Sequence, residues 1–344
     1  MTNGDLLRNL IKCWNQRDDS GFRTVIEEII REERLKNHRL LAEDLERLLL
    51  NGSKTENKIT TMWQSYEIPK DTERGFPLLD ISNRSEDLSY LVLPPKSLNI
   101  LQEIVEEHHR SDVLAANGLK PKQRALFYGP PGCGKTLAAR VMAGVLSYPL
   151  ITVRFDAVVS SYLGETAANL RRVFEYIQRG RWVVLFDEFD AIGKDRDNPF
   201  EHGELKRVVN TLLQQMDMFR GESLLIAATN HEKLLDSAIW RRFDVIVEFP
   251  QPAEQDRLLM LQLFLRGFDS SQIEFKTIAR RTKGDSGADL ELIAIESARH
   301  AILNNRSSLN KEDIDHAFNI LNDRLNLARK LGINTINNKK RKKR

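Results

Sequence analysis

The octapeptide GPPGCGKT, Gly129 to Thr136, fits the pattern GxxxxGK[ST], and its setting narrows the folds open to the chain. It stands between a short apolar run, ALFY, and a helical run, LAARVMAGVL, so it has the strand, loop and helix order that the pattern requires. Gly129, Gly132 and Gly134 let successive backbone N–H groups turn inward as an anion nest. The N-terminus of the following helix adds its partial positive charge. Lys135 then reaches toward β- and γ-phosphates, and the Thr136 hydroxyl toward Mg²⁺. With Pro130, Pro131, Cys133 and Leu137 completing it, the loop is the expected nucleotide-binding element.

The sequence around this loop predicts a mostly parallel sheet flanked by helices. Short apolar runs (ALFY, LITVRF, WVVLF, SLLIAA, VIVEF) alternate with helical patterns from Lys120 to Pro250, after which only helical patterns continue to about Arg324. WVVLFDEFD delivers Asp187 and Glu188 to the C-terminal end of a strand, the edge where open α/β sheets bind ligands. Asp187 is placed for the Mg²⁺ shell, and Glu188 for activating a water against the γ-phosphate. Paired acids at a strand end are otherwise ordinary solvated residues; the upstream loop is what tilts the reading toward hydrolysis. SLLIAATN ends on Asn230, an amide that can position the same water. Arg241 and Arg242 in AIWRRFD are, by pattern alone, a surface pair. A guanidinium supplied across a subunit boundary to a transferring phosphoryl group is, however, worth about 10³ to 10⁵ in rate.

Together, GPPGCGKT, LFDEFDAI, ATNHEKLLDSAIWRRFD and GDSGADLELI resemble the AAA ATPase family, in the branch with the second region of homology. The resemblance covers about Pro94 to Leu321. It implies a five-stranded, doubly wound α/β P-loop core with a helical lid, ATP and Mg²⁺ as cofactors, and assembly into a homo-oligomeric ring, usually a hexamer. It also implies Lys135 and Thr136 as Walker A, Asp187 and Glu188 as Walker B, Asn230 as sensor 1, Arg241 and Arg242 as the trans-acting finger pair, and Gly287 and Ala288 as small residues near the adenosine. RRFD is two residues shorter than the RxGRFD of many relatives and is similar to the microtubule-severing and membrane-remodelling branch. Asp217-Met218-Phe219 stands where relatives often have DGF.

In SSYLGE, Tyr162 and Leu163 sit just before a helix that buries Leu170, Val173, Phe174 and Ile177 at helical spacing. Leu163 falls on that same face and can pack as a staple on the first turn. Gly164 is expected to let the backbone turn away, so the two residues need not share one fate. The family comparison implies the first pore loop here, with Tyr162, and with less force Leu163, gripping a protein substrate.

Three amphipathic segments predict an N-terminal helical bundle over 1–52, followed by a connector over 53–93 with one hairpin and a short extended piece at YLVL (Tyr90 to Leu93). The α/β part is expected over 94–250, the helical lid over 251–328 and a basic tail over 329–344. The N-terminal helices resemble those of bacterial AAA proteins whose genes neighbour a subtilisin-like serine protease, which implies such a protease as a partner. No protease signature such as GxSxG or HExxH occurs in the chain itself.

Composition excludes several classes. The net charge is +3, but the last six residues, KKRKKR, carry six positive charges and leave −3 for the rest, so no basic nucleic-acid face shows in the bulk. A nucleic-acid ATPase of the loader or initiator type, with the tail as its footprint, is the alternative reading. No apolar run approaches the roughly 18 residues of a membrane span, and no leader pattern opens the chain, so a cytoplasmic protein is expected. Two cysteines, Cys13 and Cys133, imply no disulfide scaffold. The seven histidines, including the pair His108 and His109, lack zinc-like spacing and read as surface residues.

Overall fold

A computed structural model describes residues 24–26, 67–72, 74–83, 86–159, 163–188, 199–230 and 237–331. The chain divides into two units, 1–67 and 68–344. Apart from 24–26, which are helical, the expected N-terminal bundle lies outside the described residues, as do Tyr162 and residues 332–344.

The second unit is built on a sheet of six strands: β1 (Leu79–Ser82), β2 (Arg124–Tyr128), β3 (Leu150–Val153), β4 (Val183–Phe186), β5 (Leu224–Thr229) and β6 (Val245–Glu248). Their order is β1-β3-β4-β5-β2-β6. All neighbours run parallel except β1, which pairs antiparallel with β3. The expected count of five is thus corrected to six. The extra strand, LDIS, is a four-residue edge strand whose Asp80 and Ser82 break any apolar run. VVLF in β4 and LLIAAT in β5 are buried at every position because helices cover both faces, which is why these strands read as continuous apolar runs.

On one face α1 (Pro95–His109) and, after the short α2 (Ser111–Ala116), α3 (Lys135–Leu146) pack Leu101, Ile104, Ala138 and Met142 against Phe127, Leu185 and Ile226. Pro95 opens α1 at a position where its missing N–H costs nothing, and Ser97 Oγ donates to the Glu248 carbonyl at 2.8 Å, tying the helix to the end of β6. On the other face, beyond α4 (Phe155–Val158), lie α5 (Leu163–Ile177) and α6 (Pro199–Met218). Leu170, Val173, Phe174 and Ile177 are buried as their spacing predicts, and Phe174 stacks on Phe186 at 6.0 Å. The short α7 (Ser237–Trp240) precedes β6.

Three further expectations are corrected. YLVL is extended only in part: a 3₁₀ turn, begun by the Asp87 carboxylate accepting from Ser89 N–H at 2.9 Å, spans Leu88–Tyr90, Leu91 is extended, and residues 91–94 join no ladder. Proline there removes donors a ladder would need. Gly164 does not turn the chain away but lies in the first turn of α5 with open space about it. His108 is buried rather than on the surface; its Nε2 donates to the Lys122 carbonyl at 2.9 Å.

The lid comprises α8 (Glu254–Phe264), α9 (Phe275–Arg281), α10 (Gly287–Leu303) and α11 (Lys311–Lys330) around a core of its own that includes Leu261, Leu290, Ile293, Leu309 and Ala317. Helix α11 runs two residues past the expected lid boundary at 328.

Candidate nucleotide site

Parallel pairing brings three strand ends to one edge. Tyr128 is level with Thr229, and Phe186 with Ala227, so Gly129, Asp187 and Asn230 emerge on the same side of the sheet. The loop after β2 has a backbone that only glycine adopts without strain, with φ of +144° at Gly129, +72° at Gly132 and +94° at Gly134, the N-cap of α3. Lys135 is buried within it, its Nζ donating to the carbonyls of Gly129 at 2.7 Å and Pro130 at 2.9 Å. Burial raises the pKa of the neighbouring Cys133 thiol, with the Lys135 charge opposing, so Cys133 fills space as a thiol rather than acting as a thiolate.

Thr136 Oγ1 donates to Asp187 Oδ2 at 2.7 Å. The other Asp187 oxygen accepts from the Glu188 backbone N–H at 2.9 Å. Glu188 takes φ +50°, a left-handed conformation that costs a non-glycine residue about 1–2 kcal/mol, and its side chain is exposed. The short bond to Asp187 holds this turn and presents the second carboxylate beyond the strand end.

From the lid, the N–H of Ala288 donates to the Gly132 carbonyl at 3.0 Å. Ser286 caps α10 in a reciprocal box with Asp289, which fixes where that helix begins. A Cβ on Gly287 would stand 3.1 Å from the Gly132 carbonyl oxygen, a tight contact where the lid meets the loop.

Between core and lid lies a cavity of about 860 Å³, within the range of small-molecule and cofactor sites. Residues 131–137, Asp187, Glu188, Asn230, Gly287 and Ala288 line it. Sequence reasoning missed its other wall: Tyr90, Leu91 and Val92 from the connector, with Met260, Phe264 and Arg266 from the lid. The Arg266 guanidinium lies 4.5 Å from the Tyr90 ring centroid and also donates to the Tyr90 hydroxyl, joining connector to lid within that wall. These residues follow no motif; the signal available was the apolar run ending at Pro94-Pro95.

Arg241 and Arg242 do not line the cavity. Arg242 Nε lies 3.3 Å from Asp217 Oδ2, whereas Arg241 is exposed and makes no ion pair with a described residue. Leu163 begins α5, and Tyr162 precedes it outside the described residues. No helix among the described residues is long and apolar enough to cross a membrane.

The profile of the ATPase family associated with various cellular activities (AAA) matches residues 125–251. The chain is 36% identical over 322 residues to an uncharacterized AAA family ATPase, y4kL, of Sinorhizobium fredii, covering 92% of this chain and 95% of that protein. It is 34% identical over 250 residues to the proteasome-activating nucleotidase of Thermococcus kodakarensis, covering 70% of this chain and 63% of the nucleotidase. With the nucleotidase of Pyrococcus abyssi it shares 36% identity over 226 residues, 63% of this chain and 57% of the relative.

Proposed function

The chain belongs to the AAA ATPase family, and on that premise we propose that it forms a homo-oligomeric ring, a hexamer, that spends Mg-ATP hydrolysis on remodelling or unfolding protein substrates. The observation that carries this reading is the separation of reactive groups. Lys135, Thr136, Asp187, Glu188 and Asn230 line one cavity, and Arg241 and Arg242 do not. Phosphoryl transfer gains from a guanidinium at the transferring group, and a pair set apart from its own cavity, as Arg241 and Arg242 are, is suited to serve a neighbouring chain's nucleotide.

In this reading the Lys135 ammonium exchanges its two carbonyl partners for phosphate oxygens, and the backbone N–H groups of the loop hold the remaining charge. Glu188 orients and deprotonates the attacking water, and Asn230 positions it. Thr136 and Asp187 offer the hard oxygen ligands that Mg²⁺ prefers. Among the described residues no group of three or more His, Cys, Asp or Glu is placed to hold a metal ion by itself, and phosphate oxygens and water would have to supply its remaining ligands. When bound, the ion neutralises charge on the phosphates. Tyr90, Leu91, Val92, Met260, Gly287 and Ala288 would surround the base.

Protein is favoured over nucleic acid as substrate because the chain without its last six residues is at −3, and because proteasome-activating nucleotidases are among its relatives. A separate protease, subtilisin-like by the resemblance of the N-terminal helices, is the proposed recipient of unfolded chains.

ATP turnover measured with an unstructured polypeptide and with single-stranded DNA tests the reading. Polypeptide is expected to stimulate the wild type. Glu188→Gln is expected to lose about 10² to 10⁴ in turnover while still binding ATP. Stimulation by DNA, with indifference to every polypeptide, overturns the proposal in favour of a nucleic-acid loader.

A further inference from the structure

The finger loop is anchored to the strand that feeds the phosphate loop. Arg124, the first residue of β2, places Nη2 2.8 Å from Asp244 Oδ1 and Nε 3.3 Å from Asp244 Oδ2. Its Nη1 lies 3.4 Å from Asp217 Oδ1, and the other oxygen of Asp217 is the one that meets Arg242. Backbone bonds reinforce the junction: Asp244 Oδ2 accepts from the N–H groups of Gln123 and Arg124 at 3.0 Å each, and Asp244 N–H donates to the Arg124 carbonyl at 2.9 Å. Arg220 Nη1 donates to the carbonyls of Asp217 and Phe219, both at 2.9 Å, fixing the end of α6 at the same place.

We propose that Arg124 is a positioning residue for the arginine pair: by bridging Asp217 and Asp244 it fixes the loop 241–244 so that Arg241 projects toward the neighbouring chain's nucleotide. This rests on the trans-acting reading above. A planar guanidinium can hold two carboxylates in fixed directions, which the point charge of a lysine cannot. Its charge also has a negative role. Without it, Asp217 keeps Arg242 but loses its tie to β2, and Asp244 keeps only its backbone bonds, so its freed oxygen can draw Arg241 back onto its own chain. Ion pairs this close to solvent contribute little to folding, so the effect belongs to turnover rather than to stability.

The test is subunit mixing. Arg124→Met is expected to lower kcat about 10- to 100-fold, the cost of a displaced reacting group, with KM and affinity for a non-hydrolysable ATP analogue unchanged. Lys135→Ala with Arg241→Ala is the reference mixture. Recovery of activity there supports finger action in trans, and failure to recover sinks that reading and with it this one. If Arg124 positions the finger, Arg124→Met regains activity when mixed with Lys135→Ala and gains none with Arg241→Ala. The reverse sorting, with recovery beside Arg241→Ala, shows Arg124 acting on its own phosphate loop and overturns the inference, as does a wild-type kcat for Arg124→Met. Arg124→Lys, which keeps the charge and loses the fork, is expected to sort in the same way and serves where Arg124→Met fails to fold.

Discussion

At Gly129 the backbone has φ +144°, and a Cβ there would stand 2.1 Å from the Phe249 carbonyl oxygen. At Gly134, with φ +94°, nothing lies within 4 Å of the same position. The two glycines of one motif are therefore glycine for different reasons, a backbone collision in the first and conformation alone in the second. Gly129→Ala is expected to cost about 2–4 kcal/mol of stability, through strain plus displacement of the chain after β6. Gly134→Ala is expected to cost only about 1–2 kcal/mol, the left-handed penalty itself. Chemical denaturation of both variants checks this order, and equal losses contradict it. The motif spacing made Lys135 and Thr136 legible, because a phosphate nest needs those residue types in that order. The collision with Phe249 was not legible, because it arises only when β6 lies beside β2.

Among the elements, strands buried on both faces were readable as apolar runs, and α5 by its 3.6-residue period. What failed to read was whatever depended on distant partners. Strand β1 exists because β3 offers it an edge, and the connector's 3₁₀ turn depends on the single carboxylate of Asp87. The nucleotide wall of Tyr90, Leu91 and Val92 is ordinary apolar sequence until the lid folds over it. The lid also holds a polar junction that no pattern announced. Asp313, fully buried, accepts from His300 Nδ1 at 2.6 Å, from Arg306 at 2.6 and 2.7 Å, and from the Asn310 N–H at 2.9 Å. Burial alone would raise its pKa, but the hydrogen bonds from Arg306 and His300, with the Arg306 charge, outweigh it and hold the carboxyl well below the ordinary range. A depressed pKa contributes stability above the unfolded value, about 3.9, and loses it as pH falls from there toward the folded value. Asp313→Asn is therefore expected to lose about 1–3 kcal/mol at pH 7, the worth of hydrogen bonds to a charged group. Thermal unfolding should show the gap between wild type and variant narrowing as pH drops below that of the free acid. A gap that widens in acid contradicts the assignment.

At the scale of the whole molecule, the proposed ring, in which each site draws its guanidinium from a neighbour, would make each chain half of two active centres and repeat every segment once per subunit. On that proposal, the segment between α4 and α5 is expected to present Tyr162 once per subunit to a substrate passing through the ring. Its flanks, Ser160 and Ser161 before and Gly164 and Glu165 after, carry no positive charge to meet phosphates, whereas an aromatic ring presses on an extended polypeptide without regard to its sequence. The helix that follows is anchored by the buried Leu170, Val173 and Phe174. Tyr162→Ala is expected to lower the rate of unfolding a tagged fluorescent substrate at least ~10-fold, the equivalent of about 1.5 kcal/mol of lost apolar contact. ATP turnover without polypeptide should persist, because the proposed chemistry rests on Lys135, Glu188 and Asn230. Tyr162→Phe, which keeps the ring and loses the hydroxyl, should unfold the substrate nearly as fast as the wild type. Full unfolding activity in Tyr162→Ala assigns the tyrosine to packing, and loss in Tyr162→Phe assigns the grip to its hydroxyl.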